Sequence, residues 1–171
     1  MRARGVLSLM GYSGDRAAAK APSHSTEGWV PMTTHVSELM TSAPVTVEPQ
    51  TSVATVARMM RDEDIGAVLV TEGERLRGLV SDRDLVVRTL AEGGDPDRTT
   101  VADACSDDLV TVGPDDDVSR AVELMREHSV RRMPVVDAEQ HAVGIVSLGD
   151  LAIERDPESA LGDISSTKPN K

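Results

Sequence analysis

The sequence predicts an α/β (α+β) fold in which two pseudo-symmetric β-α-β-β-α repeats pack together behind a disordered N-terminal tail. Three observations carry this expectation. The chain repeats itself at an offset of 65 to 66 residues. Each copy holds one apolar stripe of helical period followed by two β-branched runs. From Met32 onward there is no Phe, Tyr or Trp, so the core must be built from Val, Leu, Ile, Ala and Met.

The elements follow in order from that register. Val36-Ser-Glu-Leu-Met-Thr41 lies over Val101-Ala-Asp-Ala-Cys-Ser106 and reads as a short lead-in helix in each copy. Pro44-Val-Thr-Val-Glu-Pro49 lies over Leu109-Val-Thr-Val-Gly-Pro114, giving a strand at Val45–Val47 and again at Val110–Val112, each closed by a proline. Val53, Val56, Ala57 and Met60 fall on Val118, Ala121, Val122 and Met125, the i, i+3, i+4, i+7 spacing of one buried helix face. Thr51 and Asp116 stand just ahead of these helices, where an N-cap belongs. Ala67–Thr71 with Leu76–Ser81, and Met133–Asp137 with Val143–Ser147, read as hairpins, and a second helix follows each. The expected organisation is a tail over 1–31, repeat 1 over 32–94, a linker over 95–100, repeat 2 over 101–156 and a C-terminal tail over 157–171. One unit with three short strands can hardly cover its own sheet, so the copies are expected to pack together and form two related clefts.

Composition narrows the function. The 171 residues carry 29 acids against 18 Lys and Arg, a net charge of -11, which disfavours binding to a phosphate backbone and hence nucleic acid. The tail holds Arg2, Arg4, Arg16 and Lys20 against Asp15 and Glu27; its faint likeness to an export signal is interrupted at Asp15-Arg16, and Met32 is a candidate second start. No apolar run approaches the roughly 18 residues of a membrane span. The single Cys105 has no partner for an internal disulfide and fits a reducing cytoplasm. Neither a G-x-x-x-x-G-K-[ST] loop nor a strand-linked G-x-G-x-x-G occurs, and His24, His35, His128 and His141 show no ligand spacing with one another or with Cys105. No metal and no catalytic residue is therefore expected. A hydrolase using Asp82, Asp84 or His128 is a remote third reading.

One phrase occurs twice: Gly78–Asp84 reads GLVSDRD and Gly144–Asp150 reads GIVSLGD. Ser81-x-x-Asp84 and Ser147-x-x-Asp150 have the form of a capping box, which would tidy the first N–H groups of a helix. Each also follows a strand end and opens a helix, where exposed N–H groups can seat a phosphate. An acid one turn further can take the hydroxyls of a ribose. Both readings remain open on the residues alone.

Together with Arg131-Arg-Met-Pro-Val135, these phrases carry a resemblance. The chain resembles a tandem pair of cystathionine-beta-synthase (CBS) domains, a Bateman module, from about Val36 to Arg155, and is similar to the small stand-alone actinobacterial members. The resemblance implies a regulatory module that binds an adenosine-type nucleotide between its repeats, dimerises, and signals to an effector protein of unknown identity. The implied ligand is AMP, ADP, ATP or a related adenosyl compound, with no required cofactor. It further implies that Ser147 contacts phosphate, Asp150 the ribose and Arg131 or Arg132 the phosphate charge. Thr51, Ile65 and Gly66 would close that cleft, and Ile65 and Val130 would sandwich the adenine. The first copy has neither Arg nor Pro in Gly66-Ala-Val-Leu-Val70, so its site at Ser81 and Asp84 is expected to bind more weakly, to bind another ligand or to stay empty. The alternative is a ligand-free dimerising scaffold.

Overall fold

The computed structural model describes residues 34–106 and 109–167. The expected N-terminal tail, with Trp29, Tyr12 and Met32, lies outside the described residues.

Repeat 1 contains β2 (Thr46–Val47), α2 (Val53–Asp62), β3 (Ala67–Glu72), β4 (Arg75–Ser81) and α3 (Asp82–Leu85), which runs on into a π-helical turn over Val86–Leu90. Repeat 2 contains α5 (Val118–His128), β5 (Arg132–Val136), β6 (Ala142–Ser147) and α6 (Leu148–Arg155). Ahead of each stands a short lead-in helix, α1 (Val36–Leu39), followed by β1 (Thr41–Ser42), and α4 (Val101–Ala104). Beyond 156, where the sequence suggests only a tail, α7 (Ala160–Ser165) packs on α6.

The lead-in helices are exchanged. Val36 of α1 is fully buried in the core of repeat 2, among Val112, Val118, Met125, Met133 and Val146. Val101 and Ala104 of α4 are buried in the core of repeat 1, among Val53, Val56, Met60, Val68 and Val80. The sheets record the same exchange, since the first is ordered β2-β3-β4 while the second is β1-β6-β5, with Thr41 opposite Ile145.

Matched backbone bonds hold both exchanges. The N–H of Val36 donates to the Asp116 carbonyl at 2.9 Å, and that of Val101 to the Thr51 carbonyl at 2.8 Å. Thr51 and Asp116 are thus docking points for a foreign helix. The N-caps sit one residue later, where Ser52 accepts from the Thr55 N–H and Asp117 from the Ser119 N–H. The exchange also explains the glycine in each repeated phrase: a methyl group on Gly78 would lie 2.9 Å from Cys105 Sγ, and one on Gly144 would overlap Met40 Sδ. Each glycine leaves room for the residue that ends the other repeat's lead-in helix.

Two sequence expectations shift for local reasons. Ala57 is exposed, so the buried stripe of α2 is Val53, Val56 and Met60, with Met59 packed at its edge. The strand expected at Val110–Val112 shrinks to a single parallel bridge from Val112 to Val135. In repeat 1 the Leu69 N–H donates to the Val45 carbonyl at 3.0 Å; the matching donor in repeat 2 is Pro134, which has no N–H to give.

Candidate ligand clefts

The strand-to-helix corners of the two repeats open onto two clefts. In both corners the capping box forms. Ser81 Oγ donates to Asp84 Oδ2 at 2.5 Å and accepts from the Asp84 N–H at 3.3 Å; Ser147 Oγ donates to Asp150 Oδ2 at 2.7 Å and likewise accepts at 3.3 Å. The helix mouth of α3 is occupied by its own chain, for the Asp82 N–H reaches the Gly66 carbonyl at 3.2 Å and the Arg83 N–H reaches Asp82 Oδ1 at 2.7 Å. Here the N–H groups are spent on capping, so a phosphate at this corner would have to rely on side chains. The second oxygen of each box acid is less committed. Asp84 Oδ1 faces Arg88 Nε at 3.6 Å, and Asp150 forms no ion pair among the described residues.

The first cleft, of about 520 Å³, takes Leu79, Ser81, Asp82, Arg83 and Asp84 from repeat 1. Repeat 2 and its approach supply Leu109, Val110, Val130, Arg131, Arg132 and Pro134. The second cleft, of about 230 Å³, takes Ile145, Ser147 and Asp150 from repeat 2, closed by Pro44, Val45, Ile65, Gly66, Ala67 and Leu69, with Arg132 reaching in as well. They are one site built twice. Sliding by the repeat offset carries Pro44-Val45 onto Leu109-Val110, Ile65 onto Val130, and Ser81 and Asp84 onto Ser147 and Asp150. In each, one repeat supplies the box and the other supplies an aliphatic wall.

This crossing sorts the sequence candidates. Ile65, Gly66, Arg132, Ser147 and Asp150 do meet, in the second cleft. Arg131 lies instead in the first, with Ser81, Asp84 and Val130, so Val130 and Ile65 line different clefts and do not face one adenine. Thr51 lines neither, its carbonyl being engaged by α4. The absence of arginine from the first copy's own Gly66-Ala67 does not leave the Ser81 and Asp84 cleft without one, because Arg131 and Arg132 of repeat 2 line it as well. Sequence reasoning passed over Arg83, Leu109, Val110, Pro44 and Val45. The last four were within reach, since their alignment is part of the repeat.

Charge separates the clefts. Arg83, Arg131 and Arg132 all border the first, and among the described residues none of them forms an ion pair within 4.0 Å. Three guanidinia beside Asp82 and Asp84 make a local field suited to an anion with a hydroxylated neighbour. The matching positions of the second cleft are Gly149, Gly66 and Ala67, which carry no charge. Size points the same way, for small-molecule sites run to about 300–1,000 Å³. A different cluster, Asp137, Glu139 and His141 at the tip of the β5–β6 hairpin, brings its ligand-type atoms within 4.8 Å of one another. Two Asp137 bonds, from the His141 N–H at 2.8 Å and the Glu139 N–H at 3.0 Å, account for it as a turn.

Comparison with known proteins agrees with this architecture. The family model of the CBS domain matches residues 36–89 and 101–155. A CBS domain-containing protein of Bacillus subtilis, YhcV, is 37% identical over 127 residues, covering 74% of this chain and 89% of its own. Hypoxic response protein 1 of Mycobacterium tuberculosis is 34% identical over 125 residues, covering 72% and 86%. The crystal structure of Hypoxic Response Protein I with two coordinated zinc ions superposes with a TM-score of 0.65 at 33% identity, over 71% of this chain and 98% of that one. A CBS domain protein of Pyrobaculum aerophilum complexed with AMP superposes with a TM-score of 0.66 at 30% identity, over 71% and 93%.

Proposed function

The chain belongs to the CBS-domain family as a tandem pair, and from that premise we propose that it is a non-enzymatic sensor whose first cleft binds an adenosine-type nucleotide. The three guanidinia of that cleft, none of them in an ion pair among the described residues, carry the reading. They surround a volume of nucleotide size, beside a carboxylate held rigid by its own capping box. In this pose Asp84 takes the ribose hydroxyls, Arg83 and Arg131 meet the phosphate, and the aliphatic wall of Val110, Val130 and Leu79 receives the base. The AMP bound to the Pyrobaculum relative supports the ligand class. AMP, ADP, ATP and adenosyl compounds without phosphate remain the candidates, in a cytoplasmic homodimer that passes its state to an effector protein. A ligand shifts such a dimer only by the difference between its affinities for the two states.

Calorimetry of the full chain with AMP, ADP, ATP and S-adenosylmethionine tests the reading. At least one should bind, and Asp84→Ala should weaken it by the loss of a charged hydrogen bond, about tenfold or more. No heat from any of them would overturn it.

A ligand-free scaffold is the second reading, favoured by the exposed apolar face of Val86, Val87 and Leu90, 54%, 41% and 56% accessible, on the π-helical turn. The same titration separates the two.

A further inference from the structure

We propose that Arg132 is one guanidinium serving two clefts, so that an anionic ligand in either cleft weakens binding in the other. The inference rests on the reading that these clefts take a nucleotide and adds how the two are coupled. Arg132 borders both clefts and is half-buried between them. Its position in the structure is on the second-cleft side. A methyl group placed on Gly66 would sit 2.7 Å from Arg132 Nη2 and 3.3 Å from Asp82 Oδ2, so the guanidinium end lies directly over Gly66 and close to the acid of the first cleft.

The repeat makes the sharing unequal. The first cleft has Arg83 and Arg131 of its own, whereas the matching residues of the second, Gly149 and Gly66, have no charge. Ala67, the counterpart of Arg132 itself, has none either. Among the described residues Arg132 is thus the one cation lining the second cleft, where Asp150 would otherwise meet a phosphate alone. A phosphate in the first cleft attracts Arg132 toward itself and leaves the second with only its acid. Like charges in a partly desolvated site repel strongly, so the second binding step weakens, and linkage makes the effect reciprocal.

Titration of the full chain with ADP and with uncharged adenosine tests the coupling. Leu79→Trp fills the first cleft and reads the second one alone, with Asp84→Ala, which weakens the first cleft about tenfold or more, as a second route should the filled variant lose its fold. The expected result is that ADP binds the second cleft about tenfold more tightly in these variants than it does as the second step in the unaltered chain, within the usual range of site-to-site coupling. Adenosine should show no such difference, and Arg132→Ala should abolish it for ADP. Equal second-cleft affinity for ADP in the unaltered chain and the variants would overturn the inference and leave the functional reading standing. So would a second cleft that stays silent when the first is blocked, or a coupling that survives Arg132→Ala. Failure of both compounds to bind the unaltered chain, with S-adenosylmethionine, AMP and ATP equally silent, would overturn the functional reading itself.

Discussion

Gly66 decides whether Arg132 can lie where it does. A methyl group there meets the far end of a flexible side chain, which can move aside, so Gly66→Ala should change stability little while displacing the guanidinium. The expected outcome is a thermal midpoint close to that of the unaltered chain and a measurable change in nucleotide affinity in calorimetry; a large loss of stability would show that Arg132 is a packing element. Three acids at turns and helix starts, Asp103 exposed and Asp117 and Asp137 half-buried, set a different property. The Thr100 hydroxyl and N–H hold the Asp103 carboxyl below its ordinary value of 3.8, the Ser119 hydroxyl and then its N–H do the same for Asp117, and the His141 N–H leads among the causes at Asp137. With folded values below unfolded ones, the native state binds fewer protons. The stabilisation is therefore complete above the ordinary carboxylate range and is lost as pH falls through the folded values. Thermal midpoints should be flat from about pH 7 to 5 with respect to these groups and fall below about pH 4; a midpoint that held steady through that lower range would contradict the assignment.

At the scale of elements, the exchanged lead-in helices tie each half to the other. Val36→Ala should cost about 2 kcal/mol, the usual loss for trimming a fully buried aliphatic side chain, and the damage should fall on repeat 2 although the residue precedes repeat 1. Hydrogen exchange should quicken first in β5 and β6; quickening confined to β3 and β4 would contradict the exchange. The helices and hairpins were legible in the sequence because the apolar stripe of Val53, Val56 and Met60 recurs at Val118, Ala121 and Met125, and two copies of a weak pattern reinforce each other. The exchange was not legible, since an internal repeat fixes which residues correspond and leaves open which copy's core receives Val36 and which receives Val101. Pro134 shows a limit of another kind. The repeat predicts a strand at Val110–Val112, and one missing N–H on the neighbouring strand reduces it to a bridge.

For the molecule as a whole, the same crossing decides which residues share a cleft. The residue types were readable: Ser81, Asp84, Ser147, Asp150, Arg131 and Arg132 all border a cleft. Their grouping was readable only in part: Ile65, Gly66 and Arg132 meet Ser147 and Asp150 as the resemblance implied, whereas Arg131 and Val130 line the cleft of the other box. In the folded protein the box of one half faces the strand start of the other, which moves Arg131 to Ser81 and Asp84, leaves Arg132 bordering both clefts and keeps Ile65 and Gly66 with Ser147 and Asp150. Among the described residues no helix is long and apolar enough to cross a membrane, and both clefts lie within the unit formed by residues 32–171. The central claim is that the basic first cleft is where a nucleotide binds, and a crystal structure of the full chain grown with AMP or ADP tests it most directly. The account predicts ribose hydroxyls on Asp84, phosphate beside Arg83 and Arg131, and the base against Val110 and Val130. A nucleotide seated outside that cleft, or one seated there with Asp84 and both arginines untouched, would contradict it.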